Sequence, residues 1–309
     1  MTMNVDDQEA LDELEYQIRA ILPEEYQETY DEVQPMSMGS AGLVYDAEGK
    51  VAWDDIWDSF CDLAMAGGPP HKGSLLECGD RATIYAQPDR YREITDEICR
   101  GITMATGLAA HASPLSGWVR VTCANQGMAG WLVRAIVMEN VSARCAGTAL
   151  DLPAAPAFRL EKEIKNVVTV IAKTCHYWTG HVSPLQQRSI GQLLSKMTKA
   201  SPLIEPAPLG EGFRSDRHEI DCTAVADAMY VATGLRRSVH RNTGWIGLEC
   251  SNVRAAIWMM RALVVANVLS RREGTVLLVP VNDERDRDGQ IVVSAVSRIY
   301  RLAAARGVL

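Results

Sequence analysis

The sequence predicts an α/β protein made of two tandem duplicated α-β-α-β-α modules, related by a pseudo-twofold axis and preceded by an N-terminal helical extension. The main observation is an internal repeat. Residues 105–153 align without a gap with residues 232–280, and 20 of the 49 aligned positions are identical. Ordinary composition would give about 3 identities by chance. Two copies are fewer than the roughly three repeats that a solenoid needs, so the repeat indicates a duplicated domain.

Each copy predicts the same order of elements, beginning with a helix that ends at an Ala-Thr-Gly-Leu sequence. Gly107 and Gly234 supply the left-handed residue that commonly ends a helix. The elements that follow are a strand (118–123 and 245–250), an asparagine-capped helix (125–140 and 252–267), a second strand (146–152 and 275–281) and a third helix (160–178 and 289–305). A strand, a helix and a strand in this order predict a right-handed parallel crossover. The capped helix is apolar on nearly every face, which predicts burial, and Arg134 and Arg261 interrupt it. The preferred interpretation of these arginines is structural, and the alternative is ligand binding.

The chain accordingly divides into four predicted regions. These are an acidic, helical extension with a Gly-Pro-Pro-His-Lys loop (1–90), the first α/β repeat (91–182), a helix and proline-rich linker (183–212), and the second α/β repeat (213–309). Within the extension, residues 7–22 and 53–66 have the apolar spacing of amphipathic helices. Residues 184–199 are also predicted to be helical.

Charge and cysteine usage exclude several classes of function. The net charge is −8, but residues 1–33 alone hold eleven acids and one base, so the rest of the chain is close to neutral. Such a body lacks the positive field that binds nucleic acid. The longest apolar stretches fall short of the roughly 18 residues of a membrane span, and no signal peptide is evident. None of the eight cysteines forms a Cys-x-x-Cys pair, so we expect reduced thiols and a cytoplasmic protein.

The sequence contains no Walker, Rossmann, zinc-protease or nucleophile-elbow motif, so the candidate chemistry rests on weaker patterns. The first pattern is Cys123-Ala-Asn125 and its repeat Cys250-Ser-Asn252, each placed between a strand and a helix. In open α/β sheets ligands bind at this edge, and helix N-termini favour anions and lower the pKa of a thiol. The alternative interpretation is that the cysteines are core residues and the asparagines are simple caps.

Two loops supply the second and third patterns. Residues 67–73 present His71 and Lys72, which could act as a general acid/base and an anion clamp, or could follow an ordinary helix stop. Residues 236–241 are rich in arginine in the second copy alone, and Arg237 there suits a phosphate or carboxylate. A solvated loop would show the same pattern.

The fourth pattern is Cys175, His176 and His181, which could supply metal ligands, with His71 as a distant fourth. On a helix, however, His176 is turned away from the apolar stripe that contains Cys175, and His181 follows Gly180. This placement favours packing at the end of a helix, and no metal site is assigned.

Three functional hypotheses follow. The leading one is a cytoplasmic enzyme, or enzyme-like binder, that acts on a small anionic metabolite in a cleft between the modules. Its catalytic candidates are His71, Cys123 and Cys250, and its ligand-binding candidates are Lys72, Asn125, Arg237 and Asn252. The alternative is a non-catalytic subunit or assembly factor that docks on a protein partner through the acidic helix at 7–22. The third hypothesis is a metal-dependent hydrolase or metal carrier. The sequence identifies no cofactor, and its apolar helices could equally serve a homo-oligomer.

Overall fold

The computed structural model describes residues 5–28, 30, 42–55, 75–206, 215–239 and 244–309. The chain forms two compact units. The central unit comprises residues 29–194, and the terminal unit comprises residues 1–28 together with 195–309. Most of the predicted helix at 53–66, and the loop that carries His71 and Lys72, lie outside the described residues.

Ten α-helices and seven strands occur in these ranges. The helices are α1 (Val5–Ala20), α2 (Glu24–Gln27), α3 (Arg81–Ala86), α4 (Pro88–Thr106), α5 (Gln126–Met138), α6 (Lys165–His176), α7 (Pro184–Ala200), α8 (Ser215–Thr233), α9 (Val253–Val265) and α10 (Gln290–Arg306). The strands are β1 (Ala110–Ala112), β2 (Trp118–Thr122), β3 (Arg144–Ala146), β4 (Ala149–Pro153), β5 (Trp245–Glu249), β6 (Arg271–Glu273) and β7 (Val276–Pro280). Helix α6 is flanked by two π-helical turns, Leu160–Ile164 and Tyr177–His181.

Among the described residues, each unit contains one small antiparallel sheet. The strand order is β1-β2-β4-β3 in the central unit and β5-β7-β6 in the terminal unit. Strand β2 pairs with β4, with Val119 opposite Leu152, and β5 pairs with β7, with Ile246 opposite Val279. All four of these side chains are fully buried, so each sheet contributes one apolar face to a core. The protein is therefore a mixed α/β fold, which agrees with the predicted class.

The predicted parallel crossover is wrong, because the second predicted strand of each copy is a hairpin. In the central unit Gly147 and Thr148 join β3 to β4, and Gly147 has a φ of 61°. Gly274 occupies the same place between β6 and β7, with a φ of 57°. A two-residue loop with glycine first reverses the chain sharply. The strand after the loop therefore returns antiparallel to the strand before the helix.

Left-handed residues end the long helices, and they include two asparagines as well as the predicted glycines. Gly107 ends α4 with a φ of 71°, and Gly234 follows α8 with a φ of 75°, as predicted. Asn140 and Asn267 end the turns after α5 and α9 with φ values of 59° and 63°. Asparagine is one of the few residues with a side chain that adopts this left-handed conformation at a helix end. Both helices therefore end just before the predicted residue.

Helices α5 and α9 are buried on nearly every face, as predicted. Even Arg134 and Arg261, in the interior of these helices, are enclosed, since they are 2% and 5% exposed. The Nη1 atom of Arg134 donates a hydrogen bond of 2.6 Å to the carbonyl of Gly130, and burial lowers the pKa of Arg134 to about 10. Arg134 therefore still carries its charge at neutral pH. None of the described helices is long and apolar enough to cross a membrane.

The acidic helix α1 is an integral part of the terminal unit. Leu11, Leu14 and Ile18 are buried, as the spacing predicts, and α1 packs against α9 and α10. On its flank Asp7 pairs with Arg301 at 3.1 Å, and Glu15 pairs with Arg306. The apolar face of α1 is thus already occupied within its own chain.

The start of α10 is held against α8 by a glycine. Gly289 has a φ of 66°, and a Cβ atom built on it would lie 2.3 Å from Cγ2 of Val225. The carboxylate of Asp286 accepts hydrogen bonds from the backbone N–H groups of Ile291 at 3.0 Å and Val292 at 2.9 Å. Capping and close packing together set the position of α10.

We expect Gly289→Ala to destabilise the protein by about 2–4 kcal/mol, because it adds overpacking against Val225 to the strain of a left-handed residue. Gly307→Ala is the matched control, since Gly307 has a φ of 74° and no atom within 4 Å of an added Cβ. The control should lose about 1 kcal/mol. Urea unfolding of both variants measures the difference, and equal losses would contradict the close contact between α8 and α10.

Candidate functional site

The first Cys-x-Asn turn lies at the end of β2. The N–H of Cys123 donates to the carbonyl of Thr148 at 2.9 Å, and the Cys123 side chain is buried. Burial raises the pKa of Cys123 to about 12, with a smaller contribution from Cys145. The Oδ1 atom of Asn125 accepts a hydrogen bond of 2.9 Å from the N–H of Met128, which is the predicted N-cap.

The second turn repeats this geometry in the terminal unit. The N–H of Cys250 donates to the carbonyl of Thr275 at 3.0 Å, and burial raises the pKa of Cys250 to about 12. The Oδ1 atom of Asn252 accepts from the N–H of Ala255 at 2.8 Å. At neutral pH both thiols are protonated, whereas a nucleophilic or metal-binding cysteine acts as the thiolate. Both asparagine oxygens are engaged by their own helices.

The remaining predicted site residues are scattered. His71 and Lys72 lie outside the described residues. Arg237 is half-buried, and its backbone forms an antiparallel bridge with Leu248 of β5. Its Nη1 atom donates a hydrogen bond of 3.1 Å to Oγ1 of Thr223. The structure therefore brings each cysteine together with its asparagine, and it places Arg237 in the same unit as Cys250 and Asn252.

The cluster at the end of α6 separates into a buried and an exposed part. Cys175 is buried, and burial raises its pKa. His176 and His181 are exposed, and their Nε2 atoms lie 3.3 Å apart. Burial and the neighbouring His181 lower the pKa of His176. Across the described ranges, no three His, Cys, Asp or Glu side chains are grouped to hold a metal ion.

A cavity of about 500 Å³ opens in the terminal unit. It lies among the side of α1, the end of α7, the turn after α9 and the first turns of α10. Its lining residues are Leu14, Gln17, Met197, Ala200, Ser201, Val265, Ala266, Asn267, Gln290, Ile291, Ser294, Ala295, Arg298 and Ile299. Its volume falls within the usual range for small-molecule sites, about 300–1,000 Å³.

Helix α10 supplies a row of polar side chains to the cavity lining. Gln290, Ser294 and Arg298 are spaced four residues apart, so they form one exposed row along the helix. Arg298 is the only charged residue among the described residues that line the cavity. Its guanidinium forms no ion pair or hydrogen bond with the described part of the chain, so its five N–H donors face solvent.

The sequence predicts α10 but not the cavity that α10 lines. A row of Gln, Ser and Arg on an amphipathic helix is also the pattern of an ordinary solvated face. The cavity depends on Leu14 and Gln17 of α1, which are far from α10 in sequence. Predicting the cavity therefore requires knowing that α1 packs on α10, and no local sequence motif indicates this contact.

We expect Cys123 and Cys250 to resist alkylation by iodoacetamide at neutral pH in the native protein. A pKa of about 12 in place of 9.0 lowers the thiolate fraction about a thousandfold at neutral pH, and burial slows access further. Mass spectrometry of tryptic peptides measures the labelling, and the same protein in urea is the control in which both thiols should react. Rapid labelling of either cysteine in the native protein would restore it as a candidate nucleophile.

Comparison of the chain with protein-family models, with curated proteins and with solved structures finds no match in any of the three. The functional argument therefore rests on the residues themselves.

Proposed function

We propose that the protein is a cytoplasmic binder of a small anionic metabolite, and that the cavity of the terminal unit is its binding site. The observation that carries the proposal is Arg298, which is the one charged side chain among the described residues of the cavity lining and forms no ion pair with the described part of the chain. The cytoplasmic location is carried over from the sequence, in which none of the eight cysteines forms a Cys-x-x-Cys pair.

The lining suits a ligand with an anionic end and an apolar body. A guanidinium binds a carboxylate or phosphate through two parallel hydrogen bonds. Ser294 and Gln290 continue the row of polar groups beyond Arg298, while Leu14 and Ile299 provide apolar surface. The anionic end would therefore lie at Arg298, and the apolar part would pack between α1 and α10.

The geometry supports binding and orientation more than acid–base catalysis. The described lining contains no carboxylate, imidazole, thiol or amine. The catalytic role of Cys123 and Cys250 gains no support from thiols that are buried and protonated. The proposal therefore keeps the anionic ligand of the leading hypothesis and places the site on α10.

We expect Arg298→Gln to weaken binding of the cognate anion about tenfold or more, because a charged hydrogen bond contributes about 1.5–3 kcal/mol. Native mass spectrometry of untagged protein and a thermal-shift panel of carboxylates and phosphate monoesters would identify the ligand class, and calorimetry would give the affinity. Arg287→Gln is the matched control, since Arg287 is exposed in the same unit but does not line the cavity. Equal affinity of wild type and Arg298→Gln for every anion that binds would contradict the proposal.

A second candidate function is docking on a basic protein partner through α1. Its buried leucines are engaged within the chain, but Asp6, Glu9, Asp12 and Glu13 are exposed. A helix that presents several acids to solvent on one side can steer and orient a basic surface. This candidate corresponds to the assembly-factor hypothesis with the polar face of α1, rather than its apolar face, as the contact.

We expect the triple variant Glu9→Gln, Asp12→Asn, Glu13→Gln to lose such a partner in a pull-down while its circular dichroism stays unchanged. The matched control neutralises Asp283 and Glu284, which are exposed acids outside α1. Retention of the partner by the triple variant would contradict this candidate. Deletion of residues 1–33 is a poorer test, because it would uncover apolar surface of α9 and α10.

We infer further that the two units are products of one internal duplication. Support comes from matching local geometry at aligned positions as well as from the identities. The carbonyl of Asn140 accepts from the N–H of Leu76 at 2.9 Å, and the carbonyl of Asn267 accepts from the N–H of Ile204 at 2.7 Å. The guanidinium of Arg144 lies over the ring of Trp118, and that of Arg271 lies over the ring of Trp245. On this inference the two units share one plan, while the cavity belongs to the terminal unit.

A further inference from the structure

Two exposed imidazoles meet at the end of α6. His176 is the last residue of α6, and His181 is the last residue of the π-helical turn that follows. Their Nε2 atoms are 3.3 Å apart, and their ring centroids are 5.1 Å apart with an interplanar angle of 69°. The two rings therefore converge at their Nε2 atoms, and both side chains are exposed.

The π-helical turn is what brings the two rings together. In an α-helix, residues i and i+5 lie on different faces, because a turn takes 3.6 residues. Here the N–H of Val182 donates to the carbonyl of Tyr177 at 3.1 Å, an i to i+5 bond that widens the turn. His176 and His181 have this same spacing, so the wider turn stacks one above the other. Turns of this kind occur often at functional sites.

The turn is fixed from the side of the core. Trp178 is buried against Trp131, with ring centroids 5.5 Å apart. The Nε2 atom of Gln187 donates to the carbonyl of Trp178 at 2.8 Å and to that of Val182 at 2.9 Å. These contacts hold the backbone on both sides of His181. Little conformational entropy would then be lost when the two imidazoles bind a common ligand.

The separation of the nitrogen atoms matches a specific ligand geometry. Zinc binds histidine nitrogens at about 2.0–2.1 Å in tetrahedral sites, which places two such nitrogens about 3.3–3.4 Å apart. The observed distance is 3.3 Å. We propose that His176 and His181 form a surface site that chelates one Zn²⁺ ion through their Nε2 atoms, with water or an external ligand in the remaining positions.

The immediate surroundings are compatible with this site. Both imidazoles are exposed, so an ion in solution can reach them. Gly180 lies beside the pair, with the position of an added Cβ atom 3.8 Å from Cε1 of His176, and as a glycine it places no side chain over the rings. Cys175 is buried, so it takes no part in this surface site. The site is independent of the cavity at Arg298, and either proposal can fail without the other.

The alternative explanation of the 3.3 Å distance is a direct N–H···N hydrogen bond between the rings. That bond needs the hydrogen on Nε2 of one ring and an unprotonated Nε2 on the other. Chelation instead requires both rings to carry their hydrogen on Nδ1. The two explanations therefore differ in the tautomer of one histidine and in the response to zinc.

Calorimetric titration of the full chain with ZnCl₂, after treatment with a chelator and its removal, tests the proposal. We expect one ion per chain, and we expect His176→Ala and His181→Ala each to weaken binding about tenfold or more. His111→Ala is the matched control, since His111 is an exposed histidine on β1, and it should bind zinc as the wild type does. Absence of zinc binding by the wild type, or full binding by the double variant His176→Ala, His181→Ala, would overturn the proposal.

A spectroscopic readout separates chelation from a structural role of the pair. We expect zinc to shift the ¹⁵N resonances of both Nε2 atoms and to leave both rings as Nδ1–H tautomers. Unchanged imidazole resonances in the presence of zinc would assign the pair to a simple hydrogen bond. Near-ultraviolet circular dichroism of the variants monitors the packing of Trp131 on Trp178, so that loss of zinc binding is compared only between folded proteins.

Discussion

A helix that is apolar on every face has to be covered on every side, and this requirement sets the plan of both units. In the central unit α5 packs against β3, β4 and α6, and Gly127 lets it approach Gly191 of α7 closely. In the terminal unit α9 packs against β6, β7 and α10, and α1 covers a further side. The acidic helix α1 thus packs over the buried helix α9. This packing explains why the leucines of α1 are buried, although an acidic amphipathic helix at the start of a chain could also dock on a partner.

The cavity of the terminal unit follows from this covering. Helix α1 contacts both α9 and α10, and the cavity lies along the line of contact between α1 and α10. The close contact of Gly289 and the Asp286 cap fix the start of α10. They therefore also fix the row of Gln290, Ser294 and Arg298 that lines the cavity. A site built this way is positioned by packed helices, and such sites hold their geometry better than sites on loops.

Local signals in the sequence predicted most elements, and long-range pairing accounts for what they missed. Asn125, Asn252, Gly107 and Gly234 predicted helix ends because caps and left-handed residues act within a few positions. The apolar stripes predicted which faces are buried. The direction of the strand pairing was predicted wrongly, because Gly147-Thr148 was read as part of a strand and not as a hairpin loop. None of the candidate site residues identified from the sequence lies in the row of Gln290, Ser294 and Arg298 on α10.

The antiparallel pairing also explains why the Cys-x-Asn turns do not form a shared ligand site at one sheet edge. Ligand sites at carboxyl strand ends arise in parallel sheets, where several strand ends and helix N-termini share one edge. Here Thr122, at the end of β2, lies opposite Ala149, at the start of β4, so each turn stands alone beside a hairpin. Cys123 is then sealed by its neighbours, and burial keeps the thiol protonated. Arg298 and the pair His176 and His181, on which the two proposals rest, are exposed and are carried by helical segments.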